Sequence, residues 1–202
     1  MNIILSHYNE DLSWIRDNNL KQYNFIVYSK TNKSYNYIEH NKGQEAISYL
    51  KYIIDFYNKL PEYNIFLHSH NMSYHQDYHM CDILKRFIIP PSHTYISLNR
   101  RDYYNYDLKT FHTKEYNFLK NNWAFSNIEV PEKLSSYCCA QFYVNKRHIL
   151  NRSLDEYINM YNWLIETTIE NFWSSRMFEY MWYKILTNEN EEPKLEYNTF
   201  LS

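Results

Sequence analysis

Apolar residues along the first half of the chain alternate between short blocks and longer stripes. Asn2 to Leu5 is a compact apolar block that gives way to polar residues at Ser6, as a short buried strand does. Asn24–Tyr28 repeats the pattern, and Tyr35–Ile38 predicts a third strand. Glu10 to Arg16 forms a helical turn with Leu12 and Ile15 on one side. From Gln44 to Lys59 the period changes: Ala46, Tyr49, Leu50, Ile53, Ile54 and Tyr57 make one helical stripe, which Pro61 stops. Tyr63–Leu67 is then a strand entering the core, followed by a polar loop from His68 to Asp77.

The second half continues the alternation. A helix over Tyr78–Phe87 ends before Pro90-Pro91, and Thr94–Leu98 is the next strand. Asn99 to Lys133, rich in Tyr and Asn, predicts an irregular segment wrapping the surface. Tyr137–Val144 predicts one strand. Ser153-x-x-Glu156 is a capping box, and apolar positions from Leu154 to Phe172 follow at helical spacing. A last helix, about Ser175 to Leu186, carries Phe178, Met181, Trp182 and Ile185 on one face. The polar tail from Asn188, with Pro193, is expected to be loose. The pattern predicts one α/β domain over residues 1–187 and a tail over 188–202. Strands alternating with helices imply a largely parallel sheet with helices on both faces, whose ligands bind beyond the carboxyl ends of the strands.

Composition narrows the classes. The chain has 202 residues, 45% hydrophobic and 22% charged, with a formal charge of −2; this suits a globular core and gives no basic surplus for nucleic acid. No apolar run approaches the roughly 18 residues of a membrane helix, and the first seven residues are too short an apolar stretch for a secretory leader. Cys81, Cys138 and Cys139 form no disulfide framework and read as reduced thiols, so the expected location is cytoplasmic. One glycine stands against 23 tyrosines. Gly43 is therefore expected where a side chain is not tolerated.

The strand ends supply the candidate chemistry. Ser6 to Glu10, Ser29-Lys30 and His68-Ser69-His70 would share one rim of a parallel sheet. His68 and His70 point the same way along an extended chain; such a pair can hold a divalent metal, or contact an anion when protonated. His75 and His79 would share a face of a helix that began early enough. A metallohydrolase His-x-His-x-Asp-His pattern fails, because Met72 and Ser73 occupy the Asp and His positions. Gly43 near a helix start either lets a phosphate approach backbone N–H groups or forms a tight turn. Cys138-Cys139 read as buried thiols, since adjacent residues of a strand face opposite ways. Gln141, on the face of Cys139, could hydrogen-bond a sugar. Arg176 and Glu179, three apart on a helix, could pair with each other. Asn9, Glu10 and Asp11 could cap the first helix.

The succession Asn41-Lys42-Gly43, amphipathic helix, Tyr63–Leu67 strand and His-x-His resembles the core of GT-A glycosyltransferases. There an Asn-x-Gly turn opens a helix, and the following strand ends in an Asp-x-Asp that holds the metal of the sugar-nucleotide diphosphate. Here His68 and His70 replace the acidic pair; imidazoles suit a borderline metal better than Mg²⁺, or could meet the diphosphate without one. The chain also resembles a functionally uncharacterised domain family common in fungi. The matching segments are His7–Trp14, Asn41–Ala46, Phe66–His70, Tyr74–Asp77, Cys138–Phe142 and Arg176–Trp182. Family members usually have Trp at the position of Tyr74 and Gly at that of Ser175.

The GT-A resemblance implies a transferase taking a nucleotide-sugar donor and a carbohydrate acceptor. Donor contacts would come from His7, Tyr8, Asn9, Glu10, Asn41 and Gly43, and acceptor contacts from Gln141. Glu179 would be the catalytic base, steadied by Arg176. A divalent ion, Mn²⁺ or Zn²⁺, would sit at His68 and His70, with His75 as a further ligand. Two other readings remain: a non-catalytic carbohydrate- or nucleotide-binding module, and a metal hydrolase built on His68, His70, His75 and His79.

Overall fold

Alternate residues of the central strands enter two different cores, one on each face of the sheet. A computed structural model of the chain describes residues 1–101, 103–107 and 113–202. The first half contains β1 (Asn2–His7), α1 (Ser13–Asp17), β2 (Asn24–Ser29), β3 (Asn36–Tyr37), α2 (Glu45–Phe56), β4 (Tyr63–His68), α3 (Met80–Arg86) and β5 (Tyr95–Ser97). There follow β6 (Tyr103–Asp107), α4 (Thr113–Asn122), β7 (Lys133–Tyr137), β8 (Phe142–Asn145), α5 (Lys146–Ile149), α6 (Leu154–Glu166) and α7 (Asn171–Thr187).

Six strands form one sheet in the order β3-β2-β1-β4-β8-β5. The β3–β2, β2–β1 and β1–β4 pairings are parallel, and β8 runs antiparallel to both β4 and β5. The sheet is thus mixed and mostly parallel. Ile4, Phe66, Phe142 and Val144 face a core built with α2, α6 and α7. Ile3, Leu5, Ile65, Leu67 and Tyr143 face a second core, with Trp14 of α1, Ile83 and Leu84 of α3, and Phe200. This two-sided burial explains why the strands read as continuous apolar blocks.

Tyrosines fill much of the first core, and each buried hydroxyl needs a partner. The Tyr49 ring packs on Phe66 and Phe142 while its hydroxyl donates to the Ala140 carbonyl (3.0 Å). Tyr52 donates to Asn64 Oδ1 (2.7 Å) and accepts from Asn2 Nδ2 (2.9 Å), and Asn24 Nδ2 donates to Asn2 Oδ1 (2.8 Å). This network ties the amino ends of β1, β2 and β4 together.

Four expectations need correction. The segment 99–133 contains a strand and a helix; β6 pairs antiparallel with β7 in a separate two-stranded sheet, and 102 and 108–112 lie outside the described residues. The strand expected over 137–144 is two strands, broken by positive φ at Cys139 (72°) and Ala140 (36°), a break that no apolar pattern signals. The helix expected to run to Phe172 ends at Glu166, and α7 starts at Asn171. Three β-branched residues, Thr167, Thr168 and Ile169, lie at the break and favour extended backbone. The tail is pinned: Phe200 is buried, Ile88 N–H donates to its carbonyl (2.8 Å), and Ser202 N–H donates to the Arg86 carbonyl (2.9 Å). The capping box at Ser153 and Glu156 forms as expected.

Gly43 sits at φ +61°, and a Cβ there would lie 2.5 Å from Leu164 Cδ2 on α6. The close approach it permits is to the Leu164 side chain of α6. Gly43→Ala should therefore cost about 2–4 kcal/mol, from left-handed backbone plus overpacking. Chemical denaturation of the variant beside the parent measures this; an unchanged midpoint would refute it.

Candidate functional site

The carboxyl ends of β1, β2 and β4 lie side by side because Ser6 pairs with His68 on one flank and Tyr28 on the other. Past β4 the chain bends at Ser69. Ser69 turns inward, its hydroxyl donating to the Ser6 carbonyl (2.8 Å) while its own carbonyl accepts from Trp14 Nε1 (2.9 Å). His68 and His70 consequently face the other way, ring centroids 5.2 Å apart. The following loop folds back, held by Asn71, whose Oδ1 accepts from Cys81 N–H (2.9 Å) and whose carbonyl accepts from Met80 N–H (2.6 Å). It brings His75 to 5.8 Å from His68 and 6.2 Å from His70. One nitrogen from each of the three imidazoles lies within 4.8 Å of the others. His68 Nε2 and His70 Nε2 are shielded from solvent and have no hydrogen-bond partner. His79 stands apart: α3 starts only at Met80, so His75 and His79 share no helix face.

His68 and His70 border a cavity of about 350 Å³ whose other lining residues are Ser6, Tyr8, Glu10, Lys30, Asn41, Gln44, Glu45 and Asn171. Lys30 Nζ donates to Ser6 Oγ (2.7 Å), which donates to Ser48 Oγ (3.0 Å). Burial lowers the Lys30 pKa, against the opposing pull of Glu45 and Glu10. Glu45, the first residue of α2, is pushed up to about 7 by burial and by the Glu179 charge. Burial, reinforced by His70, His75 and Lys30, holds His68 well below the usual imidazole range, and burial lowers His70. Neutral imidazoles with open nitrogens are metal ligands.

The other expected residues divide. Tyr8, Glu10 and Asn41 reach the cavity. His7 does not: Nδ1 bonds Ser29 Oγ of β2 (2.8 Å) and Nε2 bonds the Glu10 carbonyl in the turn after β1 (3.1 Å), so both nitrogens are engaged. Asn9 is exposed and outside the cavity wall. Asp11 accepts from Ser13 N–H (2.9 Å), but the N-cap of α1 is Leu12 and carries no side-chain cap, so the capping expected of Asn9, Glu10 and Asp11 is not formed. Gln141 is buried and outside the cavity wall: Oε1 accepts from His68 N–H (3.1 Å) and Nε2 donates to Asn99 Oδ1 (3.0 Å), so it positions the His68 backbone. Glu179 Oε1 accepts from Cys139 N–H (2.8 Å), and the Arg176 guanidinium lies over the Phe172 ring (4.6 Å). From sequence Lys30 is only a rim residue, and Gln44, Glu45 and Asn171 carry no assigned role; the signal for Glu45 is an acidic residue two places after the one glycine.

Residues 3–200 match the family described as Protein of unknown function (DUF3431), so the chain belongs to that family. No curated protein and no solved structure matches it.

The raised Glu45 pKa sets a pH dependence. The folded value, about 7, lies above the ordinary 4.5, so its contribution is complete below 4.5 and lost as pH rises through about 7. Glu45→Gln lacks this loss. Its stability relative to the parent should rise by about 3 kcal/mol from pH 4.5 to about pH 8, read from urea unfolding at several pH values. A difference independent of pH would contradict the assignment.

Proposed function

We propose that this member of the DUF3431 family transfers a glycosyl group from a nucleoside-diphosphate sugar bound in the cavity at the carboxyl rim of the sheet. One observation carries the reading: three imidazoles converge at the end of β4, and two of them, His68 and His70, line a cavity that also holds the half-buried Lys30 and the buried Glu45. The position supports it too, because the strand follows the Asn41-x-Gly43 turn and α2 in the order expected of GT-A proteins.

The chain's groups divide the work. Lys30 presents a cation to the donor diphosphate, where desolvation strengthens the attraction. His68, His70 and His75 are suited to a divalent ion; the unpartnered Nε2 atoms of His68 and His70 are what such an ion satisfies. All-imidazole ligation favours Zn²⁺ over Mg²⁺. The bound ion would stabilise negative charge on the leaving diphosphate. Tyr8, 45% exposed at the mouth, offers a face for a sugar or base ring. Asn41 and Asn171 offer amides to sugar hydroxyls. Glu45 is the proposed base, replacing Glu179. It lines the cavity and its pKa of about 7 suits proton removal from an acceptor hydroxyl near neutrality, whereas a Glu179 oxygen is committed to the Cys139 backbone.

Thermal-shift measurements with UDP and GDP, with and without Zn²⁺ or Mn²⁺, test the reading. A nucleoside diphosphate with metal should raise Tm by several degrees, about 2–3 kcal/mol at saturating ligand. The metal-dependent part should vanish in His68→Ala/His70→Ala. Glu45→Gln should keep nucleotide binding and lose about 100-fold or more in turnover. If no nucleotide stabilises the protein with either metal, the transferase reading fails. The three-histidine set also favours a second reading, a metal hydrolase. Zn²⁺ binding with ester hydrolysis and no nucleotide response would select it.

A further inference from the structure

A second group of metal-type donors lies apart from the histidines, at the break between β7 and β8. Cys138 Sγ, Cys139 Sγ and a Glu179 carboxylate oxygen all lie within 4.8 Å of one another. Adjacent cysteines on a strand would point to opposite faces. Here the backbone leaves the strand at Cys139 (φ 72°) and Ala140 (φ 36°), and the two thiols come together. Non-glycine residues in this region cost about 1–3 kcal/mol each, so the turn is an unfavourable one held by its surroundings. Asn99 Nδ2 donates to the Cys138 carbonyl (2.8 Å), Tyr49 to the Ala140 carbonyl (3.0 Å), and Cys139 N–H to Glu179 (2.8 Å).

We propose that Cys138, Cys139 and Glu179 form a binding site for a thiophilic divalent cation of the Zn²⁺ type, separate from the histidine cluster. Zinc–sulfur bonds of about 2.3 Å in a tetrahedron put two sulfurs about 3.8 Å apart, so side-chain rotations of an ångström or less close the site. Binding releases one proton from each thiol: two S–H bonds break, two metal–sulfur bonds form, and no electron is transferred. Cys138 is buried and Cys139 half-buried, which leaves one approach. Tyr74 lines it, its phenol hydrogen-bonded to the Cys139 thiol and its ring 74% exposed. Two thiolates and a carboxylate around a 2+ ion leave one negative charge, and Arg176 lies one turn away from Glu179 on α7. The site does not depend on the glycosyltransferase reading. It gives Glu179 a ligand's role, which is consistent with assigning the base to Glu45.

Cobalt titration of the reduced protein tests the proposal, since Co²⁺ reports thiolate ligation as a sulfur-to-metal charge-transfer absorption in the near ultraviolet. That absorption should appear in the parent, persist in His68→Ala/His70→Ala, and in that variant saturate at one equivalent. It should disappear in Cys138→Ser and in Cys139→Ser. Glu179→Gln, which can still accept the Cys139 N–H, should weaken cobalt affinity about tenfold or more with a cooperative melt retained. No charge-transfer band in the reduced parent would overturn the proposal. So would a band that survives Cys139→Ser, or one lost when only the histidines are replaced.

Discussion

The parallel register between β1 and β4 sets where the rim of the cavity lies. Asn2 opposes Asn64 and Ser6 opposes His68. Side chains alternate along a strand, so a slip of one residue would send Phe66 to the wrong core and His68 to the wrong face. Burial on both faces opposes such a slip. The hydrogen bonds among Asn2, Tyr52, Asn64 and Asn24 oppose it from the amino ends. Polar residues locked at one end of the sheet thus fix the geometry of the chemistry at the other.

At that other end, ionisable groups are held in conditions that disfavour their charges. Lys30 and His68 are lowered and Glu45 is raised, each chiefly by burial. Desolvation of this kind is costly in the free protein and is relieved by a ligand of complementary charge. The same low-polarity surroundings strengthen the attraction once such a ligand is bound.

A hydrogen-bonded chain connects the two donor clusters. The His68 N–H donates to Gln141, Gln141 donates to Asn99, and Asn99 donates to the Cys138 carbonyl. The first sits at the end of β4, and the last at the turn that gathers the thiols. All three side-chain bonds are buried or nearly so, where unpaired amides would be expensive. The antiparallel strand β8 carries this link, since Gln141 immediately precedes Phe142 and its carbonyl also accepts from Leu98 N–H (2.8 Å).

The sequence alone determined the strands and helices that obey a simple period: β1, β2, β4, α2 and the capped start of α6. It also located the rim, because a polar sequence following an apolar block marks a strand end wherever both faces are buried. Gly43 was legible as a residue that tolerates no side chain, although its neighbour is Leu164. Only the tertiary structure decided which rim residues face the cavity. His7 carries the same side chain as His68, yet Ser29 and the Glu10 carbonyl occupy both its nitrogens. Gln141 is likewise bonded to His68 and Asn99. His75 joins the imidazoles through a loop whose path is set by Asn71, and no spacing rule reaches that far. Cys138 and Cys139 converge because of positive φ at Cys139 and Ala140, and Glu45 is raised by burial and a neighbouring charge that lies 134 residues away in sequence. Periodicity reports on local backbone and on which face is buried. Partnership, desolvation and convergence depend on residues distant along the chain, and the fold alone brings those together.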